Sequence, residues 1–311
     1  MKKERQELIQ KFEEITNCDV YILFTASGGQ NYSMSLDFLT LFTEAIFSRR
    51  LHRRKNAILV LETNGGDPTT VMAIVKQLRE NYDKIYGYAF NRCFSAGTIG
   101  MFATDKIYMS RYALFTPVDI QCLPDTQDSY KPLVANYNAF IENSPGARDA
   151  EFAAMYHDDY LRAITVIRYE EQTVRPNFMK HCKEEYVETT WAYFNGGAGL
   201  HNTKISRKQA INELGLKVKN MPDDIEELLY NIINSYSKES NMLVNSVYQM
   251  DVKDAYFETL GLTYVHYKKY QEMWAEDQPE VKKSENTTEN TKKSKQLVED
   301  KYCVEYGWMK E

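Results

Sequence analysis

The chain has 311 residues, 43% of them hydrophobic and 26% charged, with a formal net charge of -6. That acidic balance argues against a dedicated nucleic-acid binder, which carries a basic face, and no apolar run approaches the roughly 18 residues of a membrane helix. Five cysteines (Cys18, Cys93, Cys122, Cys182 and Cys303) are odd in number and form no C-x-x-C pair, so free thiols in a reducing cytoplasm are expected.

The charged start, Lys2-Lys3-Glu4-Arg5, has no apolar signal-peptide core. Leu8, Ile9, Phe12 and Ile15 instead lie at the spacing of one helical face, predicting a helix from Lys2 to Thr16. A buried strand follows at Asp19–Phe24, closed by Ser27-Gly28-Gly29, and an amphipathic helix at Ser35–Arg50. Arg49, Arg50, Arg53, Arg54 and Lys55 form a basic run, read as cations complementing a helix C-terminus, with an acidic partner as the alternative. Ala57-Ile58-Leu59-Val60-Leu61 is short, branched and uncharged, as a parallel strand covered on both faces should be. Thr63-Asn64-Gly65-Gly66-Asp67 ends it, and Pro68 suits the first turn of a helix reaching Leu78. Lys84–Phe90 is the next strand, Ser95–Ala103 a short apolar helix, and Lys106–Met109 and Ala113–Phe115 are further strands. Strands alternating with helices at this spacing predict βαβ crossovers and a parallel sheet.

Beyond Gln121 the pattern turns helical. A long helix is expected from Pro145-Gly146 to Cys182, kinked or ended by Pro176, resuming over Lys183–Phe194 and broken by Asn195–Gly199. Ser206-Arg207-Lys208-Gln209 reads as a capping box for a helix to Leu214, with a short strand at Leu216–Val218. Two more helices are expected, over Pro222–Ser237 and Asn241–Trp274. Glu280–Gln296 has the composition of a disordered linker, and Tyr302–Trp308 regains aromatics, as a docking tail would. Tyr248, Tyr256, Tyr264, Tyr267 and Tyr270 read as packing or a subunit interface. His157-Asp158-Asp159 and His181-Cys182 lack recurring ligand spacing and read as solvated or packed, so no metal is expected.

Only 14 glycines occur, so their clusters mark places where the backbone needs them. Two glycine-bearing turns close successive strands, at the sheet edge where ligands usually bind. Gly65-Gly66 can turn N–H groups outward at a helix start, an arrangement suited to developing negative charge. Ser95 opens a helix just after a strand, and the Ala96 N–H could add to the same oxyanion hole. Taken singly, Gly65-Gly66 reads as a tight turn and Ser95 as an N-cap, since serine is a preferred cap.

Together the two turns resemble the Clp protease and signal peptide peptidase A superfamily, which shares its fold with crotonase, and within it the serine dehydrogenase proteinase family. Thr63-Asn64-Gly65-Gly66 is similar to that family's T-P-G-G, and Cys93-Phe94-Ser95-Ala96-Gly97-Thr98 to its A-M-S-G-G-T. Thr116-Pro117-Val118-Asp119-Ile120-Gln121 resembles its G-P-V-D-P-Q, and Gly199–Ile205 with Leu214–Val218 echo its later motifs. The match covers about residues 57–121 and, more loosely, 195–220. Asn64 stands in place of the family's proline and Ala96 in place of a glycine.

The resemblance implies a Clp/crotonase-like α/β fold, a βαβ superhelix around a parallel sheet. The division expected is a serine peptidase domain over 1–235, a helical C-terminal extension over 236–278, and a disordered linker with an aromatic tail over 279–311. It further implies Ser95 as nucleophile, Asp119 as orienting carboxylate, His201 as general base, and Gly65, Gly66 and Ala96 as the oxyanion hole. Lys131 is the alternative base, as in related Ser-Lys peptidases. No cofactor is implied. Peptide or protein substrates and a homo-oligomer are. A non-cleaving scaffold that binds peptides or oligomerises, and a crotonase-type acyl-CoA enzyme, are the alternative readings.

Overall fold

The computed structural model describes residues 2–25, 33–121, 134–135, 137–139, 147–197, 200–240, 244–246, 249–272 and 301–310. Its centre is a parallel sheet formed by β1 (Cys18–Phe24), β2 (Asn56–Thr63), β3 (Lys84–Cys93) and β4 (Lys106–Met109), in that spatial order. The helix α1 (Lys2–Thr16) precedes β1, while α2 (Asp37–Ser48), α3 (Pro68–Arg79) and α4 (Ala96–Phe102) connect the strands. The architecture is therefore mixed α/β with a mainly parallel central sheet, as expected.

The apolar run of β2 explains its central place, because its side chains alternate between two cores. Leu59 and Leu61 enter a core with residues of α2, α3 and α4, while Ile58 and Val60 enter a second with α1 and the helix Asp223–Ser240. Each fully buried side chain of this kind contributes about 2 kcal/mol relative to exposure. Local signals hold at the helix starts: Asp67 caps α3 by accepting the Thr69 and Thr70 N–H groups, with Pro68 in the first turn. Ser206 likewise accepts the Gln209 N–H at the start of the helix Arg207–Asn212. Helical backbone carries on from Ala147–Tyr169 through a π-helical turn at Glu170–Val174, with the Arg175 N–H on the Glu170 carbonyl, into Arg175–Lys180, and this widened turn just before Pro176 accommodates the proline rather than ending the helix.

Two short strands continue the sheet past the end of β3. β5 (Leu114–Phe115) runs parallel to the end of β3, with Cys93 opposite Phe115. β6 (Ile205–Ser206) runs antiparallel to β5, with Phe115 opposite Ile205. β7 (Lys219–Asn220), expected from sequence three residues earlier, extends the sheet beyond β4.

The expected helix over 241–274, and with it a helical extension over 236–278, is corrected. After Asp223–Ser240 the chain forms β8 (Val244–Ser246), β9 (Gln249–Thr259) and β10 (Leu262–Glu272). Tyr264, Tyr267 and Tyr270 recur every three residues, as on a helix face, but strand pairing prevails, with register shifts after His266 and Lys269. Tyr256 to Thr259 of β9 pair antiparallel with Phe24 to Tyr21 of β1, and Gly261, at φ +81°, makes the turn into β10. Tyr256 and Tyr264 are buried core residues. Arg5 pins α1 to this region: fully buried, its Nε lies 2.9 Å from Glu258 and its guanidinium 4.7 Å from the Tyr236 ring centre.

The linker Glu280–Gln296 lies outside the described residues, but the tail docks. β11 (Lys301–Lys310) pairs antiparallel with β10, giving the order β11-β10-β9-β1-β2-β3-β4-β7. The basic run is also accounted for in part, since Arg49 and Arg54 pair with the buried carboxylates of Glu13 and Asp19. Cys18, Cys93 and Cys182 are buried free thiols, and no cluster of metal-ligating side chains occurs among the described residues. Within those residues no helix is long and apolar enough to cross a membrane.

Candidate active site

The turn after β2 needs its glycines. Gly65 and Gly66 adopt φ +116° and +140°, and a Cβ on Gly66 would lie 2.3 Å from the Met34 nitrogen. Met34 approaches this closely because it bridges the turn: its N–H donates to the Gly65 carbonyl, and its carbonyl accepts the Asp67 N–H, both at 2.9 Å. The Gly65 N–H donates to Thr63 Oγ1 at 3.0 Å. The Gly66 N–H has no partner among the described residues. Of the two amides, Gly66 is therefore the one available to a ligand.

Ser95 stands against this turn. A Cβ on Gly65 would lie 3.0 Å from the Ser95 Cβ and 3.6 Å from its Oγ. Ser95 itself adopts φ +50° and ψ -114°, one of two non-glycine residues with positive φ among those described. Such backbone costs about 1–3 kcal/mol and persists only where its surroundings enforce it. The Ser95 N–H donates to Thr116 Oγ1 at 2.7 Å, and the Ser95 side chain caps nothing. The simple N-cap reading is thus replaced by a strained strand-to-helix turn in which the hydroxyl has no hydrogen-bond partner among the described residues. Ala96 opens α4, where helical N–H groups lack intrahelical acceptors. Its φ is not positive, so alanine there brings no backbone strain.

Strand pairing carries the remaining residues to the same edge. Chain leaving β3 at Cys93 and β5 at Phe115 runs in one direction, and β6 is entered from that side through the residues before Ile205. Asp119 and His201 meet there: Nδ1 of His201 is 2.9 Å from Oδ1 of Asp119. Asp119 is 4% exposed, and its segment is held by the Val118 N–H on the Phe194 carbonyl and the Ile120 N–H on Glu170. Because the carboxylate only accepts, the neutral imidazole carries its proton on Nδ1 and leaves Nε2 as a base. No hydrogen bond joins His201 to the Ser95 hydroxyl, and Lys131 lies outside the described residues.

Three contributors escaped the sequence reading. Thr116 holds the Ser95 amide. Lys204 lays its Nζ 3.7 Å over the Phe94 ring, tying the His201 loop to the Ser95 turn, and burial, then Arg92, lowers its pKa. Glu62, fully buried at the end of β2, accepts the N–H groups of Asn91 and Arg92. A lone charge closing an apolar strand was the available signal for Glu62.

No family model matches the chain, and no curated protein matches it. Solved structures do. One is an alanine mutant of the membrane-bound stomatin-specific protease 1510-N, 15% identical, with a TM-score of 0.38, covering 68% of this chain and 82% of that one. A second mutant of that protease, in complex with a substrate peptide, is 15% identical with a TM-score of 0.40, covering 73% and 82%. A mutant of ClpP1 from Listeria monocytogenes is 8% identical with a TM-score of 0.40, covering 69% and 99%. Likenesses this distant establish no family.

Proposed function

We propose that this chain is a serine-type peptidase that cleaves peptide bonds through an acyl-enzyme on Ser95. The observation carrying this reading is the hydrogen-bonded Asp119–His201 pair, brought to the edge where Ser95 turns through a positive φ against Gly65. In the reaction, His201 Nε2 takes the hydroxyl proton as Ser95 Oγ adds to the substrate carbonyl. The Gly66 and Ala96 N–H groups hold the oxyanion, while the Gly65 amide keeps its bond to Thr63 and shapes the turn. The proton on His201 then passes to the leaving amine, and water repeats the sequence to release the acyl group. Substrate closes the gap between His201 and Ser95, since catalytic hydrogen bonds are often long before it binds. The motif resemblance supports peptides as the substrate class and a homo-oligomer as the working form.

The test is covalent labelling with a fluorophosphonate, followed by peptide mapping of wild type and Ser95→Ala. Label on Ser95 supports the reading, and labelling elsewhere with none on Ser95 refutes it. His201→Ala and Lys131→Ala, compared side by side, assign the base. The missing Ser95–His201 bond favours one second reading, a scaffold that binds peptides without cutting them. Peptide binding with no Ser95 labelling and no cleavage would select it.

A further inference from the structure

Strand β2 runs without a charge from Ala57 to Leu61 and then places Glu62 at zero exposure. A carboxylate so buried needs partners or gives up its charge. Its partners here are backbone groups: Oε2 accepts the Asn91 N–H at 2.9 Å and Oε1 the Arg92 N–H at 3.0 Å, with Arg92 Nε 3.5 Å from Oε1.

Those amides lie where the ladder between β2 and β3 changes register. As far as Leu61 opposite Ala89 the strands advance together, but the next pair is Thr63 opposite Cys93. Two residues of β2 are thus matched by four of β3, and a bulge of this kind strips amides of their ladder partners. Glu62 supplies the acceptors that the neighbouring strand cannot. The bulge also sits at the root of both turns, since Ser95 follows Cys93 by two residues and Gly65 follows Glu62 by three. Beyond it the strands rejoin, with the Phe94 N–H on the Thr63 carbonyl at 3.1 Å.

We propose that Glu62 is a positioning residue: its carboxylate holds the bulge that sets how far β3 reaches past β2, and its charge controls how firmly Ser95 is placed against the Gly65-Gly66 turn. This rests on the reading of Ser95 as the nucleophile. Burial pushes the Glu62 carboxyl up to about 7, against the pull of Arg92 and the two N–H groups. Among the described residues, the charged or titratable groups facing it are Arg92 and Cys93, whose thiol is raised by burial and by Glu62. On the other side β1 offers Phe24 opposite it in register, and the Thr25 N–H bonded to its main-chain carbonyl. As pH falls through about 7 the carboxyl takes a proton, and the oxygen that carries it becomes a donor and a poorer acceptor for its amide.

Two measurements on the full chain test this. The first is the rate of Ser95 labelling by a fluorophosphonate between pH 5.5 and 8.5, for wild type and Glu62→Gln. The second needs no activity: exchange protection of the Asn91 and Arg92 amides by NMR, at pH 6 and 8, relative to amides elsewhere in β3. Labelling of Glu62→Gln at pH 8 should be slower by roughly tenfold, the scale of one weakened hydrogen bond. The ratio of wild-type to variant labelling, in which the shared His201 dependence cancels, should fall toward one as pH drops through about 7, and wild-type protection should drop at pH 6 while the variant's stays level. Identical labelling profiles, or wild-type protection that ignores pH, would overturn the proposal. If wild-type Ser95 never reacts but protection follows the Glu62 charge, the nucleophile reading fails and the carboxylate clamp stands.

Discussion

His201 Nδ1 lies 2.9 Å from Asp119 Oδ1, joining residues 82 positions apart in the chain. This contact fixes both the ring orientation and the tautomer that leaves Nε2 free. Asp119→Asn preserves the shape but allows the amide to donate to Nδ1, which moves the imidazole proton to the nitrogen that should be basic. The expected result is a loss on the order of 10⁴ in the rate of Ser95 acylation with the fold unchanged. Stopped-flow labelling and far-UV circular dichroism check it, and an unaltered rate would reject Asp119 as the orienting group.

Gly66→Ala and Gly196→Ala separate steric crowding from backbone strain. Both positions have positive φ, but a Cβ at Gly66 meets the Met34 backbone at 2.3 Å whereas one at Gly196 meets no described residue within 4 Å. Gly196→Ala should cost about 1 kcal/mol, and Gly66→Ala roughly 3 kcal/mol or more. Urea midpoints of the two variants give the comparison, and equal costs would show that the Met34 contact yields freely.

His181 predicts a weakness in acid. It is 3% exposed with Nε2 2.8 Å from the Thr104 carbonyl, and burial holds its pKa below the ordinary 6.5. A group depressed on folding contributes stability above its unfolded pKa and loses it as pH falls through the folded value. Wild type should therefore lose stability from about pH 6.5 downward, and His181→Phe should flatten that part of the slope. Urea unfolding at pH 7.5 and 5 measures it, and an identical slope in both proteins would exclude His181 as the source.

Cutting the chain after Gln278 removes β11 and leaves β10 as the sheet edge. The parallel core makes no strand pair with β11, so the truncated chain should fold and unfold cooperatively. An uncovered edge is a template for pairing with another chain, so self-association beyond that of the full chain is expected. Light scattering and thermal unfolding report the two outcomes, and a truncated chain that fails to fold would show β11 to be part of the folding unit.

Much of the site was legible because its signals are local. Gly65-Gly66 and Ser95 announce themselves by glycine scarcity and by their places at strand ends, and Asp67, Pro68 and Ser206 by capping chemistry. The pairing of Asp119 with His201 came only from motif resemblance, since no spacing rule relates residues so far apart. Thr116 and Glu62 were missed for a related reason. Each serves the backbone of another strand, and a hydrogen bond to a neighbour's amide leaves no periodic trace. The residues of β9 and β10 were misread as helical because Tyr264, Tyr267 and Tyr270 recur at a helical three-residue step, which pairing onto the open edge of β1 overrode by way of register shifts in β10.

The order of strands and helices through β4 was therefore written in the residues themselves, because apolar periodicity and caps act within a few positions. What only folding decided was register and assembly: the bulge opposite Glu62, the positive φ at Ser95, and the meeting of His201 with Asp119. These depend on which amides lose their partners when separate strands pair. That is a property of the sheet, not of any one of its strands.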